Sequence, residues 1–449
     1  MWPPSASLPG ASFGGTPGSS RSEPASWWFP AWFAGGLALV CAAIVAGGPA
    51  AGLAAVAVSL GAWALAGRTA LTAYLLVAVV PVTSGLSRGL AVPGLRLSEL
   101  LTLCLGGLIL MTADARREGR WTVVDGALVV FAVAGFALGL AARHRENLPL
   151  TGEDLGVIAG PLQYVVFLRA LMLALQTPLA RMRALVIAVL SSTVVSVLAI
   201  AQQLSPAVDA SVKSLTGYAV DTHGLQVGLN RATSLFPHFQ VLSAYLAAIV
   251  MTGAGLLLFG GLSARWRWSV ALATVGASVA LLGAAFSAQV ATRIDEQRTI
   301  TIGTAGANRS PLVPQTLAYR YQVWTTQSLP AIETAALTGL GPSIPDSVAW
   351  KSTESMYITL LFRGGVILLA TYLGLVGSAL LTAWRAHALP DPGGRVAGRV
   401  LLVLTGLLVP MSFIQPYLTY GGVTHVFFLL AAVAGTAYAS RARRRPDAN

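Results

Sequence analysis

The sequence predicts an all-α, polytopic integral membrane protein. Three observations carry that prediction: charge is scarce, long apolar runs recur, and basic residues fall in the gaps between those runs. Of the 449 residues, 55% are hydrophobic and only 10% are charged. A soluble domain of this size carries about a quarter charged residues, because water must solvate its surface. Most of this surface must therefore face lipid.

Taken in order, residues 1–26 are rich in Pro, Ser and Gly and show no apolar period, so they read as a disordered cytoplasmic tail. The first apolar run opens at Trp27 and Trp28. It is too long and too far from the start for a signal peptide, and is read as a retained helix. At ~20 residues per crossing, about twelve runs qualify: 28–48, 50–67, 70–87, 98–112, 122–142, 156–176, 183–204, 238–260, 267–288, 356–384, 398–414 and 421–440. The 50–87 region also admits a re-entrant segment. Residues 27–440 thus form one transmembrane domain, and 441–449 a basic cytoplasmic tail.

Orientation follows from the loops. Arg68, the 114–120 cluster, Arg181 with Arg183, Arg265 with Arg267, Arg385 to Arg399 and the 441–445 run all fall on one side of a twelve-span arrangement. By the positive-inside rule that side is the cytoplasm, and both termini lie there. The opposite side receives Glu146, Glu153 and Asp154 and two long loops, about 205–237 and 289–355. Loops of such length are usually functional or disordered. Within the second, Pro314 to Ala335 has helical spacing with Leu317, Tyr321, Trp324 and Leu329 on one side, as expected of a helix lying on the membrane surface.

The formal net charge of +12 is accounted for by topology. No aromatic-basic signature of nucleic-acid binding accompanies it, so no nucleic-acid partner is expected. Phosphate-loop, nucleophile-elbow and zinc-protease motifs are missing. Cys41 and Cys104 sit inside apolar runs and make neither a disulfide framework nor a metal site. Neither a metal nor a cofactor is expected.

Four residues of the outer loops carry charge or basicity that topology does not demand. Arg231 precedes Phe236, Pro237 and His238 at the mouth of the eighth span, Arg320 lies four residues before Trp324, and Glu354 opens the tenth span. Each has a plainer reading beside the functional one. Arg231 reads equally as an interfacial residue reaching headgroups, and Arg320 with Trp324 as a surface cation–π pair. Glu354 suits the macrodipole of a first helical turn, while Pro237 and His238 suit a helix start. Arg169 in the sixth span reads as a snorkelling residue, and Arg96 with Glu99, three apart, as an ordinary helix-surface pair.

Over residues 225–380 the chain resembles the O-antigen ligase and polymerase superfamily of bacterial membrane glycosyltransferases. The resemblance rests on the Arg231 to His238 segment, on Arg320 before Trp324, and on the Thr338-Gly339-Leu340-Gly341 turn continuing into residues 354–365, Glu-Ser-Met-Tyr-Ile-Thr-Leu-Leu-Phe-Arg-Gly-Gly. It implies a GT-C-like helical fold in the bacterial inner (plasma) membrane. The implied reaction transfers glycan from a polyprenyl-pyrophosphate-linked donor at the outer leaflet, with membrane lipids and envelope polysaccharide assembly proteins as partners. Arg231 and Arg320 would then hold the pyrophosphate, since guanidinium forks suit phosphate oxygens. Glu354 or His238 would take the acceptor hydroxyl's proton. Ligases of this family usually carry His where Glu354 stands, which turns the reading towards the polymerase branch. A ligase and a lipid-glycan flippase are the alternatives. Flippases keep ionisable residues in mid-membrane, often within related halves.

Overall fold

In the computed structural model, the residues described are 67–86, 96–112, 121–147, 149–216, 232–236, 239–285, 320–343 and 355–444, with 61, 64 and 65. By internal contacts the chain divides into units 1–64 and 65–449. Only residues 61 and 64 of the first are described, so the architecture below is that of the second.

Short start signals set where the helices begin. In α3 (Val123–Arg145) the Thr122 hydroxyl faces the Asp125 amide at 3.4 Å, while the Asp125 carboxylate accepts the Thr122 amide at 2.8 Å. Thr151 and Asp154 repeat this box at α4 (Gly152–Ala174), with bonds of 3.1 and 3.0 Å. Thr177 caps α5 (Pro178–Leu204), and Asp391 caps α11 (Pro392–Met411); each is followed by a proline at the first helical position. These arrangements satisfy amide donors that a new helix leaves unbonded.

The remaining helices are α1 (Thr69–Thr83), α2 (Leu97–Thr112, π-helical over Thr102–Gly106), α6 (Pro206–Thr216), α7 (Phe239–Phe259), α8 (Ala264–Ala285), α9 (Leu329–Glu333), α10 (Met356–Ala386) and α12 (Gly421–Arg444). Among the described residues, eight helices (α3, α4, α5, α7, α8, α10, α11 and α12) are long and apolar enough to cross a membrane; α1 and α2 are shorter apolar helices. All ten coincide with expected spans. The expected span 28–48 lies outside the described residues, as do tails 1–26 and 445–449, and of the span 50–67 only residues 61, 64, 65 and 67 are described.

Helix α12 is the hub. It packs against α1, α4, α5, α7, α10 and α11, and 89% of its most apolar stretch is buried. A helix apolar on every side belongs in such a place. Peripheral helices are two-faced in another sense. On α8, small or slender residues (Val270, Ala273, Ala277, Ala280) are buried, while Leu272, Val275, Val279 and Leu282 are exposed at intervals of three or four. The small face admits α7 closely, to the point that a Cβ on Gly253 would lie 2.1 Å from the Thr274 hydroxyl. Small residues inward and large apolar ones outward is the pattern of a bundle solvated by lipid.

The two ends of the bundle differ. At one end arginines bind across helices. The Arg181 Nε donates to Asp391 Oδ2 at 2.9 Å, Arg443 to Gln176 at 2.9 Å, and Arg395 to the Phe259 carbonyl at 3.1 Å. Arg169 belongs to this end too, 4.0 Å from Asp125 and stacked 5.0 Å from the Trp121 ring, which agrees with its plainer reading.

At the other end lie the described parts of the connections between α5 and α7 and between α8 and α10. Arg143 of α3 donates to Asp154 at 2.5 Å and to Ser343 at 2.7 Å. The Met356 amide donates to the Ser412 carbonyl at 2.8 Å, tying the start of α10 to the end of α11. Residues Ala232, Thr233, Ser234 and Phe236 are buried within the bundle. There the Ser234 hydroxyl donates to the Val195 carbonyl at 2.9 Å, and Phe236 stacks 5.0 Å from Tyr245.

The helix expected over Pro314 to Ala335 is described from Arg320 onward, with a π-helical turn at Trp324–Ser328. Val323, Ser328 and Ile332 are buried against protein, while Tyr321 and Leu329, on the side expected to face the membrane, are exposed.

Candidate functional site

Helix α10 does not run straight. At Gly364 (φ −150°, ψ 17°) and Gly365 (φ 62°, ψ −158°) the backbone leaves helical geometry. The amides and carbonyls freed there are taken up by the turn at residues 336–341. The Leu340 amide donates to the Phe362 carbonyl at 2.6 Å, Val366 to Ala336 at 2.9 Å, and Ile367 to Leu337 at 3.3 Å. The turn is gripped from its other side by Arg145, whose Nη2 donates to the Gly339 carbonyl at 3.0 Å and whose Nη1 donates to the Thr338 hydroxyl at 3.3 Å. Irregular backbone is tolerated inside a membrane bundle only where protein or a cavity meets its polar groups.

Such a cavity is present. It has a volume of about 380 Å³ and lies between α2, α3, α4, α10 and α12, with Pro342 and the Leu418–Gly421 connection also lining it. Its polar groups are Arg96, Glu99, Gln163 and Arg363, with the hydroxyl residues Ser84, Tyr164, Tyr372, Thr419, Tyr420 and Thr424. Leu128, Phe131, Leu368, Leu375 and Phe428 supply an apolar floor. The volume lies in the range of small-ligand sites, which are mainly apolar with a few convergent polar groups.

Arg363 directly precedes the helix break. It is half-buried, lines the cavity, and makes no hydrogen bond or ion pair with a described residue. The Arg96 guanidinium makes no hydrogen bond or ion pair with a described residue, and its charge acts on the Tyr164 phenol. Glu99 is 9% exposed, and its carboxylate accepts the Arg96 amide at 3.0 Å. The surface-pair reading of Arg96 and Glu99 is thereby corrected: both line an interior cavity, because the start of α2 is turned towards α4 and α12. The Gln163 Oε1 is buried without a hydrogen-bond partner.

Of the four residues singled out from the sequence, Arg320 alone is described. It does not line the cavity. Its charge acts on Tyr417, whose phenol burial pushes up while the Arg320 guanidinium opposes that rise. Tyr417 immediately precedes the connection that lines the cavity. Arg231, His238 and Glu354 lie outside the described residues. Their chain neighbours Ala232, Phe236 and Ser355 are all buried, at 2%, 0% and 1% exposure. Sequence reasoning missed Arg363, which lay inside an apolar run; an ionisable residue in a span was the one available signal. No group of three or more metal-binding side chains occurs among the described residues.

Fold and cavity together define the class of protein: a polytopic α-helical membrane protein with a cationic chamber inside its bundle. No family model matches the chain, and no curated protein matches it.

Proposed function

We propose that the chain is a membrane glycosyltransferase of the polysaccharide-polymerase type. It transfers glycan from a polyprenyl-pyrophosphate-linked donor to an acceptor hydroxyl, working at the face of the membrane opposite the arginine-rich end. One observation supports the reading above others: an interior cavity bearing two guanidinium groups that make no ion pair with a described residue, beside a buried carboxylate, at the end opposite the arginine-rich one. Charges inside a span are expensive and mark substrate or ion pathways. A charged donor leaving group needs cations that are already oriented when the glycosidic bond breaks. In this reading Arg320 and Arg231 receive the pyrophosphate at the cavity's approach, and Glu354 or His238 accepts the proton. The positive-inside rule places the arginine-rich end in the cytoplasm.

The test is reconstitution of the full chain in vesicles with a polyprenyl-diphosphate-linked oligosaccharide. Longer glycan and free polyprenyl diphosphate are expected. Alanine at Arg231, Arg320 or Glu354 should each lower the rate by roughly 10²–10³-fold, the loss typical of one oriented electrostatic group. Undiminished product from all three variants refutes the assignment of those residues. Movement of the lipid-linked sugar between leaflets without extension refutes the enzyme and supports a flippase. Glycan transferred whole to a lipid or protein acceptor identifies a ligase instead.

A further inference from the structure

We propose that Arg363, presented by the broken helix, together with Arg96 forms the seat for the phosphate-bearing head of a lipid whose chain occupies the apolar part of the same cavity. The inference rests on the transferase reading for its substrate, but not for its geometry.

A guanidinium cannot lose its proton in a protein. Half-buried in the bundle, Arg363 carries a desolvation cost that a counter-charge relieves. Among the described residues none provides that charge, and the residue lines the cavity. An anion entering the cavity would supply it.

Its chemistry is narrowed by what else lines the space. Two guanidinium forks suit an oxyanion with several acceptor oxygens, which a phosphate ester is and a halide is not. The orphaned Gln163 Oε1 requires a donor, such as a hydroxyl carried by the same ligand. Below these groups the walls are Leu128, Phe131, Leu368 and Leu375, which suit a hydrocarbon chain. An anionic head above an apolar tail is an amphipathic lipid phosphate.

The fold supplies the means of holding Arg363 there. A continuous helix would let the side chain swing with the helix face. Here the 336–341 turn bonds on both sides of the break, to Phe362 before it and to Val366 and Ile367 after it. Arg145 fixes that turn in place. The turn belongs to the long 289–355 connection, so the position of Arg363 and the docking of that connection are one structural fact.

The experiment uses the purified full chain in detergent, with farnesyl diphosphate as probe and farnesol and inorganic pyrophosphate as comparison arms. Binding is read directly and as a rise in melting temperature. Farnesyl diphosphate should bind and stabilise best, pyrophosphate less, farnesol least. Arg363→Gln should weaken farnesyl diphosphate binding roughly 10- to 100-fold, the range for a hydrogen-bonded charge. Arg363→Lys, which keeps charge but loses the fork, should fall between. Arg385→Gln, at the opposite end, should bind as the parent does.

Arg363→Met gives a second and opposite reading. Without probe it should melt above the parent, since an unpaired buried charge is gone, yet gain nothing from farnesyl diphosphate. Equal affinity for farnesol and its diphosphate overturns the proposal, as does unchanged binding by Arg363→Gln. A lowered melting temperature for Arg363→Met also overturns it, because that would reveal a structural partner. Diphosphate binding that depends on Arg363 without any glycan extension would sink the transferase reading and leave this one standing.

Discussion

Gly365→Ala should unseat the 336–341 turn and lower stability by roughly 4 kcal/mol or more, adding backbone strain to the loss of three backbone bonds. Gly365 has φ +62°, and a Cβ there would lie 2.4 Å from the Leu337 carbonyl carbon and oxygen and 2.5 Å from the Ala336 oxygen. All three are backbone atoms, so no rotamer change relieves the overlap. Relief requires the turn to move away, which breaks the bonds to Phe362, Val366 and Ile367. Gly374→Ala, further along α10, is the control, since a Cβ there would have nothing within 4 Å. Gly339→Ala attacks the same contact from the other side, with φ +70° and the Gly364 amide nitrogen 2.5 Å away. Because Gly339→Ala and Gly365→Ala break one interface, their effects should fall well short of additive. Thermal midpoints in detergent and protease sensitivity of the 320–343 segment measure this. Equal losses from Gly374→Ala and Gly365→Ala would show that the docked turn is not what holds the break.

How much of this was legible in the sequence depends on how local each feature is. The spans were legible because apolar run length and arginine punctuation are properties of neighbouring residues: 356–384 became Met356–Ala386, and 421–440 became Gly421–Arg444. Helix starts were available too, in Thr-x-x-Asp at Thr122 and Thr151 and in Thr-Pro and Asp-Pro at Thr177 and Asp391. The cavity was not legible. Gly364 and Gly365 look like helix-contact glycines until a turn some 25 residues upstream, judged from the Leu340–Phe362 and Val366–Ala336 bonds, is seen to dock on them. Arg363 then acquires meaning only because the cavity lies beside that break. Arg96 and Glu99 are spaced as any surface pair, and nothing local says that their helix end points inward. The π turn at Trp324–Ser328 is a further case, since no composition signal announces it. The family-like turn at 338–341 and its continuation into 354–365 are a middle case: their order is plain in the sequence, and the bonds from residues 336–340 to 362–367 add that they touch.

At the arginine-rich end, Asp391→Ala should be as damaging as the loss of the turn, for an electrostatic reason. The Arg181 side chain is 2% exposed, and its charge is balanced by Asp391 at 2.9 Å. Its Nη1 donates to the Gln176 carbonyl at 2.8 Å and to the Leu175 carbonyl at 3.3 Å, so it also closes the end of α4. The same Asp391 oxygen accepts the Gly394 amide at 2.8 Å, starting α11. Alanine removes a helix cap, typically ~1 kcal/mol, and strands a buried cation, typically about 3–5 kcal/mol. The reverse deletion, Arg181→Met, should be milder. Asp391 is 12% exposed and keeps its capping bond, so the leftover carboxylate is partly hydrated and still employed. Combining Arg181→Met with Asp391→Ser, which restores a capping oxygen without a charge, should recover most of the stability lost in Asp391→Ala. Such recovery is expected wherever a buried pair is worth little in total while either partner alone is costly. Melting temperatures of the three variants in one detergent decide the matter. If the double variant is no more stable than Asp391→Ala, the loss came from the cap and the helix ends, and the stranded charge is not its cause.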